Sequence, residues 1–195
     1  MGVNQRSVLC SLTATVILTA AVSFGSQSPC RIASSGDEGI ILDLAPGALQ
    51  SETVATDAGL FSRLWVDGEF LTREIGHPAL PTVRRLFAMP AGATPTVTVL
   101  DFELEETSLS QLGLNHPVVP AQPSYSRGAD PADIYFRYDA AAYGADAFSD
   151  DALVSAAKSG TMRGVGVGAL VVSPFRYNPV TGQLRIYRNI RVRIT

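Results

Sequence analysis

Few residues in this chain could do nucleophilic chemistry. Cys10 and Cys30 are the only cysteines, and His77 and His116 the only histidines, among 195 residues. A cysteine nucleophile needs a neighbouring base. Cys30, however, lies in a Ser- and Gly-rich stretch, and each histidine precedes a proline, His77 in Gly-His-Pro-Ala-Leu-Pro and His116 in His-Pro-Val-Val-Pro. Both read as loop histidines. No Gly-x-Ser-x-Gly elbow presents a serine nucleophile. Two separated histidines and one or two cysteines give no metal-ligand spacing, and no cofactor is implied. Asp146, Asp150 and Asp151 could gather a calcium ion, but acids at the positive end of a helix would look the same. Gly164, Gly166 and Gly168 alternate at period 2, which marks close strand packing or a bend rather than a loop that cradles phosphate. The residues alone describe a domain without an active site.

Composition and the N-terminus set the surroundings. With 46% hydrophobic and 17% charged residues and a net charge of −3, the chain suits one globular domain and not a nucleic-acid binder. Arg6 followed by the uncharged run from Val8 to Val22, then the small residues Ser23 and Gly25, reads as a secretory signal peptide over 1–25. The apolar run is short for a membrane-crossing helix through a ~30 Å hydrocarbon core, so no membrane association is expected after cleavage. Cleavage removes Cys10, leaves Cys30 alone, and excludes an internal disulfide in a secreted, extracellular or periplasmic protein. Residues 26–39 read as a flexible segment and 40–195 as the folded domain.

The rest of the chain alternates apolar and polar residues between Gly and Pro breaks, the pattern of an all-β, antiparallel two-sheet sandwich or jelly-roll-like barrel with at most one short helix. Leu60–Val66 and Glu69–Glu74 flank Asp67-Gly68 as a predicted hairpin. The apolar parity changes after Val97 and Val99 to Leu100, Phe102 and Leu104, which predicts a β-bulge near Val99-Leu100. Val165–Tyr177 and Gln183–Thr195 read as two extended runs joined by a Pro- and Gly-containing turn. In the second, Leu184, Ile186, Ile190, Val192 and Ile194 share the core parity, interrupted by Arg188. The one expected helix is Asp150–Lys158.

Charge is unevenly placed. Residues 163–195 carry six arginines and no acid, a charge of +6 against −9 for the remainder. Arg185, Arg191 and Arg193 share a face that could dock on an acidic partner. Equally, arginines on the open face of a terminal hairpin could keep its edge from pairing with other chains.

Specific strings add to this reading. Gly76-His-Pro-Ala-Leu-Pro81, Asp133-Ile-Tyr-Phe, Arg163-Gly164 and above all Ser173-Pro-Phe-Arg-Tyr-Asn-Pro-Val-Thr-Gly-Gln-Leu-Arg-Ile-Tyr187 resemble the propeptide of gingipain-type cysteine peptidases, family C25, over residues 40 to 195. The resemblance implies a β-sandwich that assists folding of a secreted cysteine endopeptidase and keeps it latent, with a loop across the active-site cleft and a basic side chain in the specificity pocket. The matching loop is His116–Ile134, and its only Arg or Lys is Arg127, between Ser126 and Gly128. The partner implied is a cognate C25-like catalytic domain, in cis beyond residue 195 or in trans, Arg-preferring if Arg127 mimics substrate. The catalytic cysteine and histidine of such a domain match no residue here.

Physical chemistry is compatible with that role for Arg127. Pro117, Pro120, Pro123 and Pro131 stiffen the loop and reduce the entropy lost on docking, and small flanking residues let a guanidinium enter a narrow acidic pocket. The alternative is a solvated loop-tip arginine on a secreted binding or adhesion module without a protease partner. A row of exposed aromatics, for which Phe175, Tyr177 and Tyr187 are the candidates, would favour that alternative.

Overall fold

The computed structural model describes residues 30–36, 38–128, 130 and 135–195. The expected signal peptide over 1–25, and residues 26–29 and 131–134, lie outside the described residues. So does the Asp133-Ile134 start of one resemblance string.

The larger sheet is organised by β11 (Gln183–Ile194). Along one flank β7 (Val97–Ser108) runs antiparallel for its full length, from Gln183 opposite Ser108 to Ile194 opposite Val97. Along the other flank β11 pairs first with β10 (Phe175–Asn178) and then with β2 (Gly39–Leu44). β1 (Cys30–Gly36) adds to β2 as the edge. The second sheet has the order β5 (Phe70–Leu71), β6 (Pro81–Met89), β9 (Val165–Val172), β8 (Val154–Met162). A separate hairpin joins β3 (Gln50–Thr56) to β4 (Gly59–Trp65). These antiparallel sheets do not close into a barrel.

The alternation in β11 builds two cores. Ile190, Val192 and Ile194, with Leu42 and Leu44, face Val83, Val154, Leu170 and Val172 of the second sheet. Leu184 and Ile186, with Phe175 and Tyr177, face Leu64 and Val66 of the β4 region and Leu80, Leu109, Leu114 and Val118. Burying each such side chain contributes about 1.5–3 kcal/mol. The expected bulge is present: Leu100 is the extra residue between Asp101, paired to Arg191, and Val99, paired to Val192. A compensating bulge occurs on β11, where Asn189 takes the left-handed region (φ 49°) that a short polar side chain tolerates. The two offsets cancel, so β7 and β11 keep the same register on both sides of the interruption.

Several expectations require correction. The Asp150–Lys158 helix is absent; β8 occupies Val154–Met162 and pairs with β9 throughout. A helix of that length has little stability of its own, and hydrogen bonds to β9 override its propensity. The helix that does form, α1 (Ala140–Gly144), starts from Asp139. Asp67-Gly68 does turn, with the Glu69 amide donating to the Val66 carbonyl, but the strands on either side part: β4 pairs with β3, and β5 with β6. Val165–Tyr177 is likewise two strands in different sheets, divided at Ser173-Pro174, where proline has no amide to donate. Residues 30–36 of the supposed flexible segment form β1. Finally, β11 is an interior strand, so its arginines do not guard an edge. Arg185 pairs with Glu106 (2.8 Å), Arg188 with Glu105 (2.5 Å) and Arg191 with Asp43 (2.7 Å). Three of the six arginines of 163–195 are thus matched by carboxylates of the two strands that flank β11, two on β7 and one on β2.

Gly166 shows the close packing expected of the alternating glycines. A Cβ there would stand 2.9 Å from the Met89 carbonyl oxygen, whereas one at Gly160 would meet nothing. Gly166→Ala should therefore destabilise by about 1–3 kcal/mol in urea unfolding, and Gly160→Ala should stay within about 0.5 kcal/mol of wild type. Equal effects would contradict this packing.

Candidate functional site

The His116–Ile134 loop begins inside the protein. Ser62 of β4 brackets its first residues: the Ser62 amide donates to the Pro117 carbonyl (2.8 Å), the Val119 amide donates back to the Ser62 carbonyl (2.8 Å), and Ser62 Oγ donates to the His116 carbonyl (2.6 Å). Val118 is thus a one-residue parallel bridge to β4 and is completely buried. Its other edge faces two tyrosines. The Tyr143 hydroxyl donates to the Val118 carbonyl at 2.5 Å, and the Val118 backbone also hydrogen-bonds to the Tyr177 hydroxyl. Burial pushes both phenols above their ordinary range, Tyr143 well above it, so both stay protonated.

The Gly-His-Pro-Ala-Leu-Pro run supplies the next clamp. The Ala79 amide donates to the Val119 carbonyl, Gly76 to Ala121, and Ala121 to His77, all within 2.8–2.9 Å. The same glycine receives the returning limb, because the Asp139 amide donates to the Gly76 carbonyl (3.1 Å). Gly76 has φ +86°, and a Cβ there would lie 3.1 Å from the Asp139 nitrogen. A larger residue is excluded by both backbone and space. The string that resembles a propeptide therefore has a physical reason: it is the strip to which both limbs of the loop are tied.

Aromatic rings hold the returning limb. Phe136 packs on Phe61 (centroids 5.3 Å) and Tyr138 stacks on Tyr143 (4.4 Å, 22°). Asp139 then caps α1 by accepting from the amides of Ala141 (2.8 Å) and Ala142 (3.1 Å). The amides of Ala142 and then Ala141 hold its carboxyl below the usual carboxylate range, with a smaller contribution from His77. Between these fixed limbs the chain leaves the surface: Tyr125, Ser126, Arg127 and Gly128 are exposed, and Arg127-Gly128 forms a turn.

The structure does not assemble the other candidates. Cys30 pairs with Leu44 at the start of β1 and packs on the core beside Arg85 and Glu69, where burial pushes its thiol up and disfavours a thiolate. His77 lies 3.4 Å from both Glu74 and Asp139, and His116 gives its carbonyl to Ser62. Asp146 accepts from Asn178, and the carbonyls of Ser149 and Asp151 accept from Arg176, so this acidic run ties down an irregular segment rather than starting a helix. Among the described residues no group of three or more His, Cys, Asp or Glu is placed to hold a metal. Of the basic face, Arg185 and Arg191 are ion-paired within the chain; Arg193 borders a groove with Gly36, Glu38 and Ile41. Phe175 and Tyr177 are core residues, so these two do not form an exposed aromatic row with Tyr187. Sequence reading missed Ser62, Gln122 and Tyr143, whose partners are remote in sequence. The prolines of 117–131 pointed only to the loop itself.

The fold and this geometry define a β-sandwich with an exposed Arg127-Gly128 turn between two limbs held at a buried root. The chain belongs to the Propeptide_C25 family, which it matches over residues 23–195. It is 40% identical over 142 residues to Lys-gingipain HG66 and Lys-gingipain W83 of Porphyromonas gingivalis, a span that covers 73% of this chain and 8% of each relative. Among solved structures it is similar to one on the zymogenic latency of gingipain K from Porphyromonas gingivalis, with TM-score 0.80 and 33% identity over 88% of this chain and 94% of that one. The complex of Porphyromonas gingivalis RgpB pro- and mature domains matches with TM-score 0.72 and 24% identity over 87% and 84%, a likeness of fold.

Two measurements check the root. Tyr143→Phe leaves the buried Val118 carbonyl without its donor and should cost about 1–3 kcal/mol in denaturant unfolding followed by Trp65 fluorescence. Asp139 has a folded pKa below its unfolded value, so its contribution is complete above the ordinary carboxyl range and is lost as pH falls through the folded value. The Tm difference between wild type and Asp139→Ala should accordingly be largest at neutral pH and shrink below about pH 4. A pH-independent difference would contradict the assigned cap.

Proposed function

We propose that this chain is the latency propeptide of a secreted C25 cysteine endopeptidase, which it also helps to fold, and that it inhibits by inserting Arg127 into the enzyme's primary specificity pocket. The observation that carries the reading is the contrast between root and tip. The root is buried and bonded on both edges, while Arg127 stands exposed in a turn between Ser126 and Gly128. Limbs held this way are already ordered before docking, so less of the binding free energy is spent on ordering them. Gly128, where an added Cβ would meet nothing within 4 Å among the described residues, leaves room for the walls of a pocket.

The partner is the cognate C25-like catalytic domain, joined beyond residue 195 or supplied in trans, and the compartment is extracellular or periplasmic. Membership of the Propeptide_C25 family and the likeness to the gingipain K zymogen structure support this pairing. Arg193 and the exposed apolar residues Leu100, Phe102 and Leu104 of β7 offer further contact area on the larger sheet, with Arg185 and Arg191 contributing through a mixed-charge rather than a purely basic face.

A desolvated guanidinium bonded to a pocket carboxylate is costly to truncate, about 2–5 kcal/mol, or more than about 30-fold in the inhibition constant. The full chain added to a C25 catalytic domain should inhibit cleavage of a small basic substrate, and Arg127→Ala should weaken that inhibition by at least this factor. Arg127→Lys against Arg- and Lys-preferring enzymes reads out the pocket. Equal inhibition by wild type and Arg127→Ala would overturn the assignment of the plug.

A further inference from the structure

We infer that Gln122 is a positioning residue that ties the two limbs of the loop together and so sets the direction in which Arg127 is presented. The inference rests on the reading of Arg127 given above. Gln122 Nε2 donates to the Arg137 carbonyl (2.8 Å) and the Arg137 amide donates to Gln122 Oε1 (2.8 Å), while Nε2 also donates to the Pro120 carbonyl (3.1 Å). An amide that both gives to and takes from one residue's backbone reproduces the paired bonds of two strand residues. Here a side chain bridges limbs whose backbones do not pair.

Both ends of that bridge are anchored. Ala121, the preceding residue, is bonded to Gly76 and His77, and Tyr138, the residue after Arg137, stacks on Tyr143. The bridge therefore fixes the width of the loop above its root. Nearer the tip the Tyr125 hydroxyl approaches the Tyr135 carbonyl (3.5 Å), and the Arg137 guanidinium lies 3.5 Å from the centre of the Tyr135 ring. That stacking keeps a second cation folded against the limb and leaves Arg127 as the one presented at the turn.

The chemistry calls for glutamine. Glutamate at neutral pH would set a carboxylate against two carbonyl oxygens, and an aliphatic side chain could bond neither limb. Gln122 is exposed and belongs to neither core, so its removal leaves the sandwich packed. Its effect is on the loop.

The experiment compares the full chain with Gln122→Ala, Gln122→Glu, Arg127→Ala and the Gln122→Ala/Arg127→Ala double variant. It measures Tm, amide exchange at Arg137, and inhibition of a C25 catalytic domain. Both Gln122 variants should keep the wild-type Tm, exchange faster at Arg137, and inhibit about tenfold more weakly. In the Arg127→Ala background the Gln122 substitution should change inhibition no further, because it acts through Arg127. Undiminished inhibition by Gln122→Ala, while Arg127→Ala loses it, would overturn the inference about Gln122 and leave the plug standing. A Gln122 effect of the same size in the Arg127→Ala background would also overturn it. Inhibition unaffected by Arg127→Ala would instead overturn the proposed function on which it depends.

Discussion

The arrangement depends on the burial of Val118. A backbone segment taken out of water must satisfy its amide and carbonyl within the protein, and an unmatched group costs as much as several favourable contacts return. At Val118 the demand is met on both edges. Ser62 closes on the flanking residues Pro117 and Val119 from one side, and two tyrosine hydroxyls reach the Val118 backbone from the other. Once these bonds exist, the residues before and after have little freedom. The loop leaves the core in one direction, returns through Phe136 and Tyr138, and ends at a helix cap bonded to the same glycine that fixes its start.

Charge is handled separately from this root. The arginines of β11 lie beside the carboxylates of β7 and Asp43, in exposed pairs of the kind that individually contribute little to stability. Their consequence is register. Arg185 opposite Glu106 and Arg191 opposite Asp43 match cross-strand partners on either flank of β11, and a slip of one residue against β2 would set Arg191 beside Leu42 or Leu44 instead. A partly buried pair, Arg85 with Glu69, performs a comparable task on the inner side of β6, where an unpaired arginine would be costly.

Much of this was legible in the sequence where the governing interaction is local. Period-2 alternation identified the inward side of β11, and the phase change at Val99-Leu100 located a bulge, because side-chain parity along a strand is a backbone property. What failed was whatever depends on a remote partner. Asp150–Lys158 has helix-compatible residues and an acidic start, yet from Val154 onward β9 offers the chain hydrogen bonds instead. Asp67-Gly68 makes the expected turn, but β3 and β6 claim the strands on either side. Arg127 stands out in the sequence as the sole Arg or Lys of a proline-rich loop. Ser62 and Tyr143, which hold that loop in place, are an ordinary serine in a strand and one tyrosine among six.

The buried root also constrains how a latency domain of this design could let go. Val118 shares one core with Leu64, Leu80, Tyr177, Leu184 and Ile186, and the last two belong to the strand whose other half builds the second core. Swinging the loop aside at its root would expose Val118, strip two tyrosine hydroxyls of their partners and open the packing against β11. That cost approaches the stability of the domain itself, which for small domains is about 5–15 kcal/mol. Under the proposed function, Arg127 therefore leaves a pocket by rigid-body departure of the whole sandwich, or after the chain is cut or unfolded, and not by a swing of the root within an intact propeptide. Under the proposed function, latency lasts as long as the sandwich stays folded and bound, and the switch is the fate of the domain rather than a hinge inside it.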